Sequence, residues 1–259
     1  MKLKKLATAM AISMAFASGA ASANVFYENV NAWDTSPASG TDGKTAIMDE
    51  MQVNWAATSV YTDTTGPAGV SVGDAVVDNG AGTVGGYLLG GSNLVGIEAT
   101  EGLGVTHSLN FDYNNLTGTV VAMLSPSQIL AQYTSGTIHV WGDKNANGGK
   151  DVELLTLDVF NSDGTLGNFN IYSKVSYAAP GVWFFPPATD WNTSVVTISS
   201  RIDTNLDHGG VPALQSDGTY SRTSRLNGSI EFVPEPASIA LMGLGLLGLG
   251  LSRRNKKAA

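Results

Sequence analysis

Nine residues set the strictest limit on the fold. In Val105-Thr106-His107-Ser108-Leu109-Asn110-Phe111-Asp112-Tyr113 the odd positions are apolar or aromatic, with His107 among them, and the even positions are polar. Side chains alternate between the two faces of a strand, so this pattern marks a half-buried strand of an antiparallel sheet. Comparable stretches run over 51–60, 119–124, 137–141, 153–160, 169–177, 195–202 and 229–232. Turn pairs punctuate them, among them Asp42-Gly43, Asp163-Gly164, Asp217-Gly218 and Asn227-Gly228. Many short strands separated by such turns predict a mostly β chain, a single antiparallel β-sandwich or jelly-roll-like domain.

Two local departures from strand are expected. Ser125 can cap a helix whose first position is Pro126 and whose third is Gln128, which predicts a short helix over 126–132. Thr62 to Gly96 is dense in glycine and reads as long loops around one or two weak strands.

The ends differ from the middle. Lys2, Lys4 and Lys5 precede an apolar stretch from Leu6 to Ala17, and small residues follow up to Ala21-Ser22-Ala23. A basic start, a short apolar middle and an Ala-x-Ala ending make a secretory signal peptide. Ala21 and Ala23 would fill the signal peptidase pockets, with Asn24 as the first mature residue. The expected organisation is therefore a signal peptide over 1–23, an extracellular β-rich domain over 24–232 and a C-terminal signal over 233–259. In that last part Pro234-Glu235-Pro236 leads into an uncharged, Gly/Leu-rich run from Ala237 to Leu251, and Arg253-Arg254 and two lysines close it. The run is shorter than the roughly 20 residues an untilted membrane helix needs. It is expected to form a short apolar helix, with the basic cluster held on the cytoplasmic side.

This order resembles the PEP-CTERM sorting signal of Gram-negative bacteria. The resemblance rests on Pro234, Glu235 and Pro236, the Gly/Leu span, and Arg253 and Arg254. It implies an exosortase, a membrane cysteine peptidase, as the partner that removes the tail. The chain would thus be exported through the inner membrane, held transiently by its C-terminus, and then left at the cell surface or in the extracellular matrix.

With both ends set aside, 7 basic and 21 acidic residues remain between Asn24 and Val233, a formal charge of −14. Such a surface disfavours nucleic-acid backbones and anionic membranes as partners. The chain has no cysteine, so no disulfide supports it, and about 210 residues suffice for one self-sustaining core.

Catalytic signatures are not evident. There is no Gly-x-Ser-x-Gly elbow, His-Glu-x-x-His pair or phosphate loop. His107 and His139 lie in strand patterns and read as packing or surface residues. The chain is expected to have no enzymatic activity and to need no cofactor. One segment, Asp143-Lys144-Asn145-Ala146-Asn147-Gly148-Gly149-Lys150-Asp151, matches the start of a calcium loop. Asp143, Asn145, Asn147 and Asp151 are its candidate ligands. Leu154 stands where an EF-hand needs a bidentate Glu, and a polar hairpin turn is the competing reading. Trp183-Phe184-Phe185 and Trp191 either cover the end of the core or stack on sugar rings.

The middle also resembles the flocculation-associated PEP-CTERM proteins. The likeness is carried by Gln52-Val53-Asn54-Trp55, Phe111-Asp112-Tyr113-Asn114, Leu116-Thr117-Gly118-Thr119-Val120, Tyr133-Thr134-Ser135-Gly136, Arg201-Ile202-Asp203-Thr204-Asn205 and Tyr220-Ser221-Arg222-Thr223. It implies a non-enzymatic surface or matrix protein that promotes aggregation through exopolysaccharide or a cell-surface glycan. The alternatives are a secreted polysaccharide-degrading enzyme and a carbohydrate-binding module with Trp183 or Trp191 as its platform.

Overall fold

A computed structural model describes residues 25–34, 41–64, 66, 68–165, 168–193, 198–206 and 210–234. The expected signal peptide and the expected C-terminal apolar helix lie outside these residues. Among the described residues no helix is long and apolar enough to cross a membrane.

Thirteen strands are described. Eight of them are long: β2 (Glu50–Thr62), β3 (Ala75–Leu89), β5 (His107–Ser125), β6 (Gln128–Lys144), β7 (Val152–Thr165), β8 (Asn168–Ala178), β11 (Ile198–Leu206) and β13 (Tyr220–Pro234). The short ones are β1 (Tyr27–Glu28), β4 (Ser92–Asn93), β9 (Trp183–Phe185), β10 (Thr189–Asp190) and β12 (Ala213–Leu214). Each long strand pairs antiparallel with the next long strand, and β13 returns to pair with β2 from Tyr220↔Tyr61 to Glu231↔Glu50. β13 also pairs with β11 on its other side. The sheet therefore closes into an eight-stranded up-and-down barrel.

This corrects the sandwich or jelly-roll expectation while keeping the β class. Sandwich and barrel share the same period of two, and only the pairing of the first and last long strands separates them. Closure removes the free edges that a sandwich must protect. Bulges at Gln52/Val53, Asp78/Gly80 and Asn114/Thr117 help the long strands coil around the axis.

The interior is filled by side chains, as expected for eight strands. In β2 the odd residues Met51, Val53, Trp55, Ala57, Ser59 and Tyr61 point inward and are buried, and the even ones face out. Large rings face small residues. Gly80 lies under Tyr113, where a Cβ would come 2.4 Å from the ring, and Gly82 lies against Trp55. Gly80 and Gly82 are thus packing residues of the 15-residue strand β3, which is longer than the one or two weak strands expected among loops over 62–96.

The helix expected over 126–132 is also replaced. Pro126 and Ser127 form a hairpin tip, with Ser125 opposite Gln128, and β6 begins at once. Ile129 and Tyr133 are buried. Their spacing of four fits one helix face and one strand face equally, and the ladder to β5 decides for strand. The one α-helix among the described residues is the single turn Ile97–Thr100.

Antiparallel order fixes two poles. The ends of β2, β5, β7 and β11 and the starts of β3, β6, β8 and β13 lie at a hairpin pole. Residues 25–34 and 41–49, the connections 90–106 and 145–151, residues 179–193, and the end of β13 lie at the other, the cap pole. There β1, β9 and β10 form a small second sheet. Phe26, Trp183, Trp191 and Phe232 are buried beneath it in contact: Phe26 meets Phe232 at 5.3 Å and Trp191 meets Phe232 at 4.9 Å. Trp183 also donates its indole N–H to the Leu154 carbonyl at 3.1 Å. Both tryptophans are core residues, and this takes away the sugar platform considered for them.

Candidate functional site

The calcium-loop residues come together as the β6–β7 turn at the cap pole. Asp143 is buried and accepts hydrogen bonds from the Ser108 hydroxyl (2.6 Å), the Asn147 N–H (3.2 Å) and the Gly148 N–H (2.7 Å). Burial pushes its carboxyl up, but these donors outweigh it and hold the pKa below the ordinary carboxylate value. Asp151 caps the turn by accepting from the Lys144 N–H at 2.8 Å. Asn145 takes a left-handed backbone conformation, φ 69°. Hydrogen bonds from the turn and from Ser108 of β5 thus engage both oxygens of Asp143 and one of Asp151. A rise in melting temperature with calcium, lost in Asp143→Asn, is the result the ion reading requires. An unchanged temperature assigns the loop to the turn.

The histidines are not brought together. His107 is buried edge-on against Trp33 at 5.3 Å, and burial lowers its pKa. His139 lies five ladder positions away on the outer wall, paired with Glu153 at 2.6 Å. Its neighbours are also engaged: Glu153 accepts from Thr156, and Asp112 accepts from Trp141 and Lys150. These contacts are complete within the wall. His208 lies outside the described residues.

At the hairpin pole the barrel mouth is bolted shut. Arg222 donates to the carbonyls of Ser127 (2.9 Å) and Ile129 (3.4 Å), which ties β13 to the β5–β6 hairpin across the opening. Its guanidinium lies 5.7 Å from the centre of the Tyr61 ring. Beneath it the Tyr133 hydroxyl donates to the buried Asp78, whose pKa burial raises. The cavity left there is about 30 Å³, room for water-sized groups only.

At the cap pole Glu28 is wholly buried and accepts from Trp33 (2.8 Å) and Tyr87 (2.7 Å). Burial pushes its carboxyl up to about 7 despite both donors. A carboxyl raised in the native state binds its proton more tightly there than in the unfolded chain. Its stabilising contribution is complete below the unfolded value near 4.5 and is lost as pH rises through about 7. Relative to Glu28→Gln, wild-type unfolding free energy should fall by roughly 3 kcal/mol between pH 4.5 and 8. Equal pH slopes in the two proteins would contradict this burial.

A larger concavity, about 680 Å³, opens on the same pole. Its walls come from the N-terminal segment (Tyr27, Asp42, Lys44), the single helical turn (Glu98) and the β9–β10 turn (Pro186, Pro187). Tyr27 lies parallel to Phe184 at 5.3 Å and 9°, which fixes its ring. Sequence reasoning missed this groove. Its walls are far apart in the chain, and only Asp42-Gly43 stood out locally, as a turn.

The remaining feature is where the chain leaves. Phe232 is fully buried, Val233 pairs with Ser199, and Pro234 pairs with Ile198 as the last ladder position. Only Glu235 and Pro236 separate it from the uncharged run at Ala237, and the three steps from Pro234 to Ala237 span at most about 11 Å. Fold and exit strand together define a class: a closed β-barrel that passes, with almost no linker, into a C-terminal tail. The tail is a PEP-CTERM protein-sorting motif, matched over residues 232–254. No curated protein and no solved structure matches the chain. The motif marks an exported protein whose C-terminal anchor is processed by an exosortase. Its first three residues are already part of the barrel.

Proposed function

We propose that the barrel is a non-enzymatic adhesion protein, released by its exosortase to the cell surface or matrix. There it promotes flocculation by associating cells with exopolysaccharide. The observation that carries this reading is the junction of a self-contained barrel with a sorting tail. The closed fold gives a stable, cysteine-free body for the extracellular space, and the tail supplies a means of delivery. The likeness of the middle to flocculation-associated PEP-CTERM proteins supports the same role, as do the strongly acidic domain and the polar turns around its poles. The carboxyls with raised pKa, Glu28 and Asp78, also fit a structural role, because Trp33, Tyr87 and Tyr133 already engage them inside the fold.

Deleting the gene should abolish or sharply reduce floc formation in the producing bacterium, and the intact gene should restore it. Normal flocculation in the deletion strain would end the adhesion reading. The polysaccharide-hydrolase alternative requires the released barrel to shorten the organism's own exopolysaccharide. The expected result is unchanged polymer size after prolonged incubation.

A further inference from the structure

We infer that the cap-pole groove is the glycan-contact site, and that it takes sugars without carboxylate groups, neutral or amino-bearing. This deepens the adhesion reading and rests on it. Three observations carry it. The groove holds about 680 Å³, within the range of sites for compounds larger than a single sugar ring. One wall is an aromatic ring already held by its neighbour: Phe184 backs Tyr27 in a parallel stack. A pyranose can lie on such a ring at little ordering cost, because the ring does not have to be fixed on binding. Exposed polar groups that can meet hydroxyls surround it, namely Lys44, Asp42 and Glu98.

Charge sets the class. Among the lining residues Asp42 and Glu98 carry exposed carboxylates, and Glu101 a buried one that accepts from the Gly43 N–H, against the single cation of Lys44. The mature region around them has a formal charge of −14. A polyuronate would meet repulsion both at the groove and at long range, whereas hydroxyls and protonated amines are accepted by carboxylates. The other aromatic candidates are less suited. Trp183 and Trp191 are buried, and Trp141 lies on the convex barrel wall with its N–H already given to Asp112.

The test uses the released protein from culture supernatant, with chelator present so that no divalent cation bridges the partners. Binding to glucosamine oligomers, cello-oligosaccharides and polygalacturonate is measured by calorimetry. Glucosamine or cello-oligosaccharides should bind and polygalacturonate should not. Tyr27→Ala should weaken binding by about tenfold or more, Tyr27→Phe should retain it, and Trp141→Ala should leave it unchanged. If Tyr27→Ala fails to fold, Glu98→Gln gives the answer from an exposed position, by lowering affinity for glucosamine oligomers more than for cello-oligosaccharides. Three results would overturn the assignment: binding to none of the probes, binding indifferent to these changes, or equal binding of polygalacturonate. Complementing the deletion strain separates the two ideas. Tyr27→Ala restoring flocs fully would remove the groove but keep the adhesion role, and a deletion strain that flocculates normally would remove the adhesion role itself.

Discussion

Replacing Pro234, Glu235 and Pro236 together by alanine is expected to leave the protein uncleaved in the membrane fraction. The barrel should be indifferent to the change. Pro234 occupies only the last ladder position, opposite Ile198, and Glu235 and Pro236 follow it. The uncharged run from Ala237 and the basic cluster after it remain, so a means of holding the chain at the membrane persists. What is lost is the Pro-Glu-Pro tripeptide of the matched sorting motif. The effect should be close to all-or-none, read as the ratio of released to membrane-bound protein by immunoblot. Normal release from the triple-alanine variant would sink the sorting claim.

The second large effect is expected at Phe232→Ala. This side chain is fully buried among Phe26 and Trp191, and β13 is held on one side by β11 and on the other by β2. Removing a buried phenylalanine typically costs about 3–5 kcal/mol, as lost transfer free energy plus the cavity left behind. Here the ring plugs the barrel end beneath the cap sheet, so little is free to collapse into the space. Urea unfolding should show the midpoint moving with the slope unchanged. Phe232→Leu should recover most of the loss. A cost below about 1 kcal/mol would mean that the cap does not seal the barrel as described. Phe232 also lies within the residues matched by the sorting motif. Folding and processing can therefore be separated: protein of the Phe232→Ala variant that does fold should still be released, whereas the triple-alanine variant should fold and not be released.

Much of this architecture is legible in the chain, and what is not has identifiable causes. Alternation such as Leu109-Asn110-Phe111-Asp112-Tyr113 reports one buried face whatever the sheet does as a whole, so strand content and most strand positions follow from it. Closure depends on contacts between residues as distant as Tyr61 and Tyr220, for which no local pattern exists. The run from Ala75 to Leu89 misleads for a different reason. Glycine normally weakens a strand, yet here Gly80 and Gly82 make room for Tyr113 and Trp55. Around Pro126 a real capping pattern competes with a real turn pattern, and the ladder between β5 and β6 settles it. The groove was illegible because Tyr27, Glu98 and Pro186 acquire a common meaning only when the cap assembles. The sorting tail, by contrast, is a linear signal, and its order of parts is visible directly.

With at most about 11 Å of extended chain between the last ladder residue and the uncharged run, the cap pole is expected to face the membrane while the tail is attached. The groove is on that pole. Release by the exosortase then separates the groove from the membrane as well as freeing the protein. Glycan binding is expected to be stronger for the released form than for the tethered triple-alanine variant presented on cells.

The most direct measurement is peptide mass spectrometry of both termini of the protein recovered from the matrix. The predicted protein begins at Asn24 and ends beyond Pro234 but before the Gly/Leu run, so that β13 stays whole. A recovered protein that still carries Arg253 and Arg254, or one that ends before Phe232, would contradict the account.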